Sequence, residues 1–234
     1  MSRLEPFGPE LWVADGGTVS FFGFDYPTRM VVVRLADSGL WLWSPIALDP
    51  ELEAEVRALG PVRHLVSPNK LHHLFLAQWK SRFPDAKLWA TASTIARFPN
   101  LRFSGTLTDT APPDWAGQID QFHFTNSPAL DEVEFLHLAS RTAIICDLSQ
   151  PFSETFLDAH WPAWLRWIAR RARLTEHWGY PPPELRFTFR RRAEERAKIE
   201  RLIDARPERV VVAHGEIARS GGADYLRRAF SWLL

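Results

Sequence analysis

Three short apolar segments each lead to side chains that can bind a metal ion: residues 62–66 lead to His72 and His73, residues 142–146 to Asp147, and residues 210–213 to His214. Runs of this length, rich in β-branched residues, are typical of buried strands. Side chains at the ends of strands that are distant in sequence can converge at one edge of a sheet. Imidazole and carboxylate donors suit Zn²⁺, Fe²⁺ or Mn²⁺. The pattern therefore predicts a metal site built from strand ends.

The same residues also fit a structural interpretation. Ser67-Pro68-Asn69 breaks the chain into a loop, and histidines in such a loop are often exposed rather than bound to a ligand. Asp147 can cap a helix that follows it. Both interpretations stay open at the level of single residues.

Elsewhere the chain alternates strand and helix patterns, and its 234 residues suit one large domain or two small ones. Asp49 before Pro50 predicts a helix start, and Gly60 predicts the end of that helix. Further strands are predicted at 30–35, 40–43, 87–90, 118–124 and 132–137, and helices at 74–83, 91–98, 164–171, 190–205 and 225–233. Two short strands, 11–13 and 19–24, are expected around a turn at residues 15–17, and residues 23–29 are expected to form a loop.

Composition argues against several classes of partner. Lysine and arginine balance aspartate and glutamate at 28 each, whereas a nucleic-acid-binding protein would carry a basic excess. The single cysteine, Cys146, excludes an intramolecular disulfide and is expected to be an inert buried thiol. The N-terminal region has no signal-peptide pattern and no apolar run reaches membrane-spanning length. We therefore expect a cytoplasmic protein without a membrane partner.

Residues 148–183 form a stretch rich in tryptophan and arginine and punctuated by prolines. Trp164, Trp167 and Ile168 fall on one side of the helix predicted at 164–171, and we expect the tryptophans to pack in the core or in an interface. The stretch is interpreted as an insertion or lid on a single domain that spans residues 1–234.

The order of these features resembles the metallo-β-lactamase superfamily over nearly the whole chain. More specific strings, at residues 27–30, 67–75, 140–142 and 146–148, are similar to those of an uncharacterised group within that superfamily. The resemblance implies an α+β fold, a four-layer αββα sandwich of two packed sheets with helices outside them.

The chain departs from the superfamily motif His-x-His-x-Asp-His, which aligns with residues 68–73. Pro68 and Lys70 stand where the first two histidines would be, and no histidine occupies the middle ligand position between residues 126 and 132. Residues that can bind a metal remain at all four positions of the second site: His72, His73, Asp147 and His214. The resemblance therefore implies one divalent ion, with Zn²⁺ preferred over Fe²⁺ or Mn²⁺.

By the same resemblance the expected function is metal-dependent hydrolysis of an ester, lactone, thioester or phosphoester in a small molecule, with Asp147 at the catalytic centre. Arg29, Lys70, Arg141 and Tyr26 are candidates for substrate binding, although an ordinary salt bridge is the alternative role for Arg29 and Arg141. The competing function is a non-catalytic protein of the same fold that binds a small molecule or a protein. Either function is compatible with a homo-oligomer.

Overall fold

The computed structural model describes residues 2–234. Its strands are β1 (Glu5–Gly8), β2 (Leu11–Phe21), β3 (Phe24–Arg34), β4 (Leu40–Trp43), β5 (Val62–Ser67), β6 (Lys87–Ala90), β7 (Gly105–Thr106), β8 (Ile119–Phe124), β9 (Glu132–His137), β10 (Thr142–Ile145) and β11 (Arg209–Val212). Its helices are α1 (Pro50–Leu59), α2 (Leu76–Arg82), α3 (Ala92–Arg97), α4 (Glu154–His160), α5 (Ala163–Ala172), α6 (Pro183–Thr188), α7 (Arg192–Asp204) and α8 (Gly222–Ala229).

The strands form two sheets. The first sheet contains β1 to β7 in sequence order, with antiparallel pairing from β1 to β4 and parallel pairing from β4 to β7. The second sheet has the order β11-β10-β9-β8, in which β10 and β11 are parallel and the other pairs antiparallel. Strands β5, β10 and β11, whose ends the sequence pattern singles out, thus lie in two different sheets.

Three apolar clusters show that the two sheets and the outer helices are stacked in four layers. Between the sheets lie fully buried side chains from both, such as Trp41 and Phe135, whose ring centroids are 5.1 Å apart. The outer side of the first sheet packs on α1 and α2 through Leu52 and Trp79. The outer side of the second sheet packs on α7 and α8, with Ile199 among the buried residues. The predicted αββα sandwich is confirmed.

Helix α1 shows how local sequence sets an element. The Asp49 carboxylate accepts a hydrogen bond from the Leu52 amide at 2.9 Å, Pro50 occupies the first turn and Gly60 follows the last residue. Leu52 and Val56, four residues apart, are buried against the first sheet. The predicted bounds of this helix are confirmed.

The predicted turn at residues 15–17 and the predicted loop at 23–29 are wrong. Strand β2 continues through the two glycines, because the pairing register shifts between Asp15 and Thr18 and the strand absorbs them as a bulge. The chain reverses instead at Phe22 and Gly23, both of which have positive φ. Residues 24–29 are paired strand, so β2 and β3 form one long hairpin.

The segment 148–183 contains α4 and α5, and its core is a separate apolar cluster that includes Phe152, Trp161 and Leu165. Tyr26 and Phe24 of the long hairpin pack against that cluster. Trp164 and Trp167 do not join it and are exposed, so a core position for these two rings is wrong. The interpretation of the segment as an insertion stays a prediction. Within residues 2–234, no helix has the length and apolar content needed to cross a membrane.

Candidate metal centre

Two histidines face one aspartate where strands from both sheets end. His72 lies in the turn after β5, and Asp147 and His214 each lie two residues beyond β10 and β11. His72 Nε2 is 3.5 Å from Asp147 Oδ2, and His214 Nε2 is 3.4 Å from Asp147 Oδ1. The two imidazole centroids are 5.1 Å apart, and each of the three side chains is at most 9% exposed. The strand ends therefore bring together a compact set of possible metal ligands that is almost inaccessible to water.

Each ring is oriented by a hydrogen bond at its Nδ1 atom, so that its Nε2 atom faces Asp147. His214 Nδ1 donates to the carbonyl oxygen of Pro27 at 2.6 Å, which fixes the tautomer and leaves a lone pair on Nε2 when the ring is neutral. His72 Nδ1 is hydrogen-bonded to the Ser44 hydroxyl at 2.7 Å. Histidines that bind metals are typically oriented in this way through their second nitrogen.

Asp147 is an ionised carboxylate in this setting. Burial alone raises the pKa of a carboxyl group, but the charge of His72 and the hydrogen bonds that the His214 and His72 rings donate when protonated hold the pKa of Asp147 well below its usual value. The side-chain amides of Asn69 and Gln150 also donate to it, at 2.8 Å and 3.1 Å. The carboxylate thus has four polar neighbours and little contact with water.

Asn69 links the loop that carries His72 to a layer of buried acid side chains. Its amide nitrogen donates to the Glu132 carboxylate as well as to Asp147, and its amide oxygen accepts from the backbone of Leu71 at 2.7 Å. Glu132 in turn accepts from the backbone amides of Asp147 at 3.1 Å and Leu148 at 2.9 Å. Asn69 and Glu132 therefore position the donors, a role that the sequence analysis missed for both residues.

The acid layer continues to Glu134, whose carboxylate accepts from the Cys146 amide at 2.9 Å. Burial, and then the charge of Asp147, raise the pKa of Glu132 to about 7. Burial, followed by the charge of Glu132, raises the pKa of Glu134 well above its usual value, so Glu134 is the protonated member of this pair. A proton between these two carboxyl groups lowers the negative charge beneath the site.

The Cys146 thiol lies at the inner side of the cluster. Donor atoms of His72, Cys146 and Asp147 are all within 4.8 Å of one another. Among residues 2–234 no other three such side chains are as close, and the set of His72, Asp147 and His214 is wider, because its two imidazoles face Asp147 from different sides. The thiol is fully buried in the core between the sheets, and burial, followed by the nearby carboxylates, raises its pKa well above the usual value. Cys146 is therefore a neutral thiol beside the cluster.

A cleft of about 440 Å³ reaches one side of the cluster, with Asp147, Gln150 and His214 in its lining but neither His72 nor Cys146. Its other lining residues are largely apolar: Val19, Phe21, Tyr26, Leu71, Leu74, Ala129, Leu130, Pro182 and Leu185. The amide oxygen of Gln150 is buried and has no hydrogen-bond partner. An orphaned acceptor beside an open space marks a place where a ligand can bind. The sequence analysis missed Gln150, although its position three residues after Asp147 was a usable signal.

Two predicted substrate-binding residues lie in the cleft. Lys70 is part of its lining, and Tyr26 lies edge-on to the His214 ring with centroids 5.3 Å apart. Burial, and then the charge of Asp147, raise the pKa of Tyr26, so its hydroxyl keeps its proton. Their roles toward a substrate stay predictions.

The structure places His73 apart from the other predicted metal ligands. Its Nδ1 donates to the carbonyl oxygen of Lys70 at 2.9 Å, and its ring stacks on Phe98 with centroids 4.0 Å apart. The ring is turned against α3 by these contacts, so the structure does not bring it to the cluster around Asp147.

The two arginines predicted to bind substrate have other partners in the structure. Arg29 donates to the carbonyl oxygens of Val212 at 2.8 Å and Gly215 at 2.7 Å and pairs with Asp15, so its guanidinium holds the segment around His214 instead of facing the cleft. Arg141 pairs with Glu208 at the start of β10, the opposite end of that strand from Asp147. Both side chains have structural partners, as the salt-bridge alternative expects.

Comparisons with known proteins agree with this architecture. A protein-family model described as "Domain of unknown function (DUF4336)" matches residues 10–158. No curated protein sequence matches the chain.

Solved metallo-β-lactamase structures superpose on almost the whole chain. DIM-1 metallo-β-lactamase exposed to ceftazidime has a TM-score of 0.65 at 13% identity and covers 99% of this chain and 95% of its own. The enzyme from Hirschia baltica has a TM-score of 0.62 at 11% identity, with 98% and 96% covered. FIM-1 from Pseudomonas aeruginosa in the mono-zinc form has a TM-score of 0.59 at 9% identity, with 95% and 92% covered. Likeness at such low identity shows the fold alone.

Proposed function

The chain belongs to the DUF4336 family and has the metallo-β-lactamase fold, and from that premise we propose that it is a hydrolase with a single divalent metal ion. The observation that supports this most is the pair of imidazole Nε2 atoms, from His72 and His214, that face the ionised Asp147 from two sides. FIM-1, in its mono-zinc form, is a protein of this fold with one zinc, so a single ion is compatible with the architecture.

The residues around the cluster fit such an ion. His72 and His214 are each anchored through Nδ1, which leaves Nε2 as the donor atom. Asp147 is charged, and the unpartnered oxygen of Gln150 offers a further neutral donor. We assign the ion to His72, Asp147 and His214, with Gln150 beside them. Two imidazole nitrogens with a carboxylate and an amide oxygen favour Zn²⁺, with Fe²⁺ and Mn²⁺ as the alternatives.

When bound, a divalent ion supplies Lewis-acid chemistry, since it polarises a carbonyl group and makes water a better nucleophile. The chain's own residues supply the rest. Tyr26, whose hydroxyl remains protonated beside His214, can donate a hydrogen bond to a developing negative charge on the substrate. The apolar walls exclude bulk water from the site.

The charges and apolar residues that line the cleft also favour some substrate classes over others. Among the described residues that line it, Lys70 is the only cation. A phosphoester would be expected to meet several cationic groups, whereas one lysine beside apolar walls suits a carboxylic ester, thioester or lactone with an apolar acyl part. Lys70 is then available for one negative charge on such a molecule, and Glu184 is the carboxylate in the same lining besides Asp147.

The test joins metal content to turnover. Protein purified without added metal is reconstituted with Zn²⁺, desalted and analysed for metal, and then assayed with ester, thioester, lactone and phosphodiester substrates. We expect close to one ion per chain and hydrolysis of acyl substrates, both lost in His214→Ala and unchanged in the exposed control His177→Ala. Less than a tenth of an ion per chain in the wild type, or equal activity in His214→Ala, would contradict the proposal.

A non-catalytic role in small-molecule binding is the second candidate. It is favoured by Pro68 and Lys70, which leave the first metal position of the fold without its histidines. The same assay separates the two functions, because a binding protein would retain metal or bind acyl compounds in the cleft without turning them over.

A further inference from the structure

Helix α5 has two apolar faces, one buried in the protein and the other exposed to solvent. Leu165, Ala169 and Ala172 are buried in the cluster that contains Phe152 and Trp161. On the other side, large apolar side chains three and four residues apart remain in solvent: Trp164 is 60% exposed, Trp167 63% and Ile168 41%. Single exposed apolar side chains are ordinary, but three in one stripe of a short helix form an unpartnered face.

The region around this face is basic. Residues 163–192 contain eight arginines and two glutamates, and the acids Glu154, Asp158 and Glu194, which pair with three of these arginines, reduce the excess to +3, whereas the whole chain is neutral with 28 residues of each sign. Arg171 belongs to the same stripe as Trp167, and its guanidinium carbon lies 5.8 Å from that ring. Within residues 2–234, the exposed arginines that pair with no carboxylate include Arg171, Arg173, Arg190 and Arg192.

A third exposed aromatic residue lies within the same basic segment. Phe187, on α6, is 82% exposed and precedes the consecutive arginines 190–192 by only a few residues. Apolar and basic side chains are therefore combined throughout the segment.

We propose that this surface, defined by Trp164, Trp167, Ile168 and Arg171, docks on an anionic lipid bilayer. Tryptophan suits the membrane interface because its ring is apolar with one polar edge, and arginine pairs with anionic head groups. The excess positive charge argues for an anionic occupant and against a second copy of the chain, which would bring two surfaces of net positive charge together. The expectation of no membrane partner depended on the lack of a spanning segment, and surface docking requires none.

The test is co-sedimentation of the full-length protein with vesicles of phosphatidylcholine alone or mixed in equal parts with phosphatidylglycerol. We expect binding only to the anionic vesicles, weakened by added salt, and a loss of about tenfold in apparent affinity for Trp164→Ala combined with Trp167→Ala. Arg171→Gln should weaken binding to a smaller degree.

Matched controls keep the result specific. Leu138→Ala removes another exposed apolar side chain, and Arg196→Gln removes an exposed arginine of α7, and both should bind as the wild type does. Absence of binding to anionic vesicles, equal binding to neutral ones, or wild-type binding by the tryptophan variant would overturn the proposal. So would a dimer in sedimentation velocity that the tryptophan substitutions convert to a monomer without any vesicle binding.

Discussion

The superfamily resemblance implies two metal positions, and the chain differs between them: the second, which we propose holds the ion, is called the kept position, and the first is called the converted position. At the kept position, His72 and His214 turn their Nε2 atoms to an ionised Asp147. At the converted position, Pro68 and Lys70 replace the histidines of the motif, and the Asn69 amide between them donates to Glu132 and Asp147. At this position the Asn69 amide supplies hydrogen bonds to the carboxylates of Glu132 and Asp147. On the proposed assignment, the buried acids beside the converted position are paired by hydrogen bonds instead of by an ion.

The sharpest test of the kept position removes the central charge. Asp147→Asn preserves the shape of the side chain but takes away the carboxylate that both imidazoles face, so we expect affinity for Zn²⁺ to fall by at least about 100-fold. Titration calorimetry on the reconstituted protein measures this. Asp120→Asn, an exposed change in β8, is the control, and an unchanged affinity in Asp147→Asn would remove the distinction between the two positions.

The converted position is tested through Asn69. In Asn69→Ala, Glu132 and Asp147 lose a buried donor, and we expect the free energy of unfolding to drop by about 3 kcal/mol. Urea unfolding of the metal-free protein measures the loss, with Asn100→Ala in an exposed turn as the control. A drop no larger than that of the control would mean that the amide is not what stabilises the buried acids.

Gln150 lies between the cleft and the kept position. Gln150→Leu removes the unpartnered oxygen and the donor to Asp147, so affinity for Zn²⁺ should fall by about tenfold. The exposed substitution Gln78→Leu should leave that affinity unchanged. If the two variants bind zinc equally well, Gln150 has no part in the site.

The smallest effect is expected at Lys70. Because its ammonium group lies in the cleft lining at the converted position, Lys70→Gln should leave zinc affinity unchanged and raise KM for an anionic acyl substrate by less than about tenfold. Lys87→Gln, remote from the cleft, serves as the control. A gain of a second zinc ion in Lys70→Gln would show that lysine had merely displaced an ion.

The sequence was sufficient to locate the strand ends, because β-branched runs and the polar residues after them carry a strong local signal. It was not sufficient to tell His72 from His73. The two rings differ in their contacts: His72 is hydrogen-bonded to Ser44, whereas His73 stacks on Phe98. Both partners lie in segments that are distant along the chain.

The other misses have the same physical origin. The glycines at 16 and 17 look like a turn until a pairing strand absorbs them as a bulge. Arg29 looks available for a substrate until the β11 end supplies two carbonyl acceptors. Trp164 and Trp167 look like core residues, but α5 already buries a different stripe. In each case tertiary contacts decided the outcome.

One measurement addresses the central claim directly: an anomalous difference map recorded at the zinc absorption edge from crystals of the zinc-reconstituted protein. We expect a single peak in contact with His72, Asp147 and His214, and none beside Lys70. A map without a peak at these three side chains, from crystals that contain zinc elsewhere, would contradict the account.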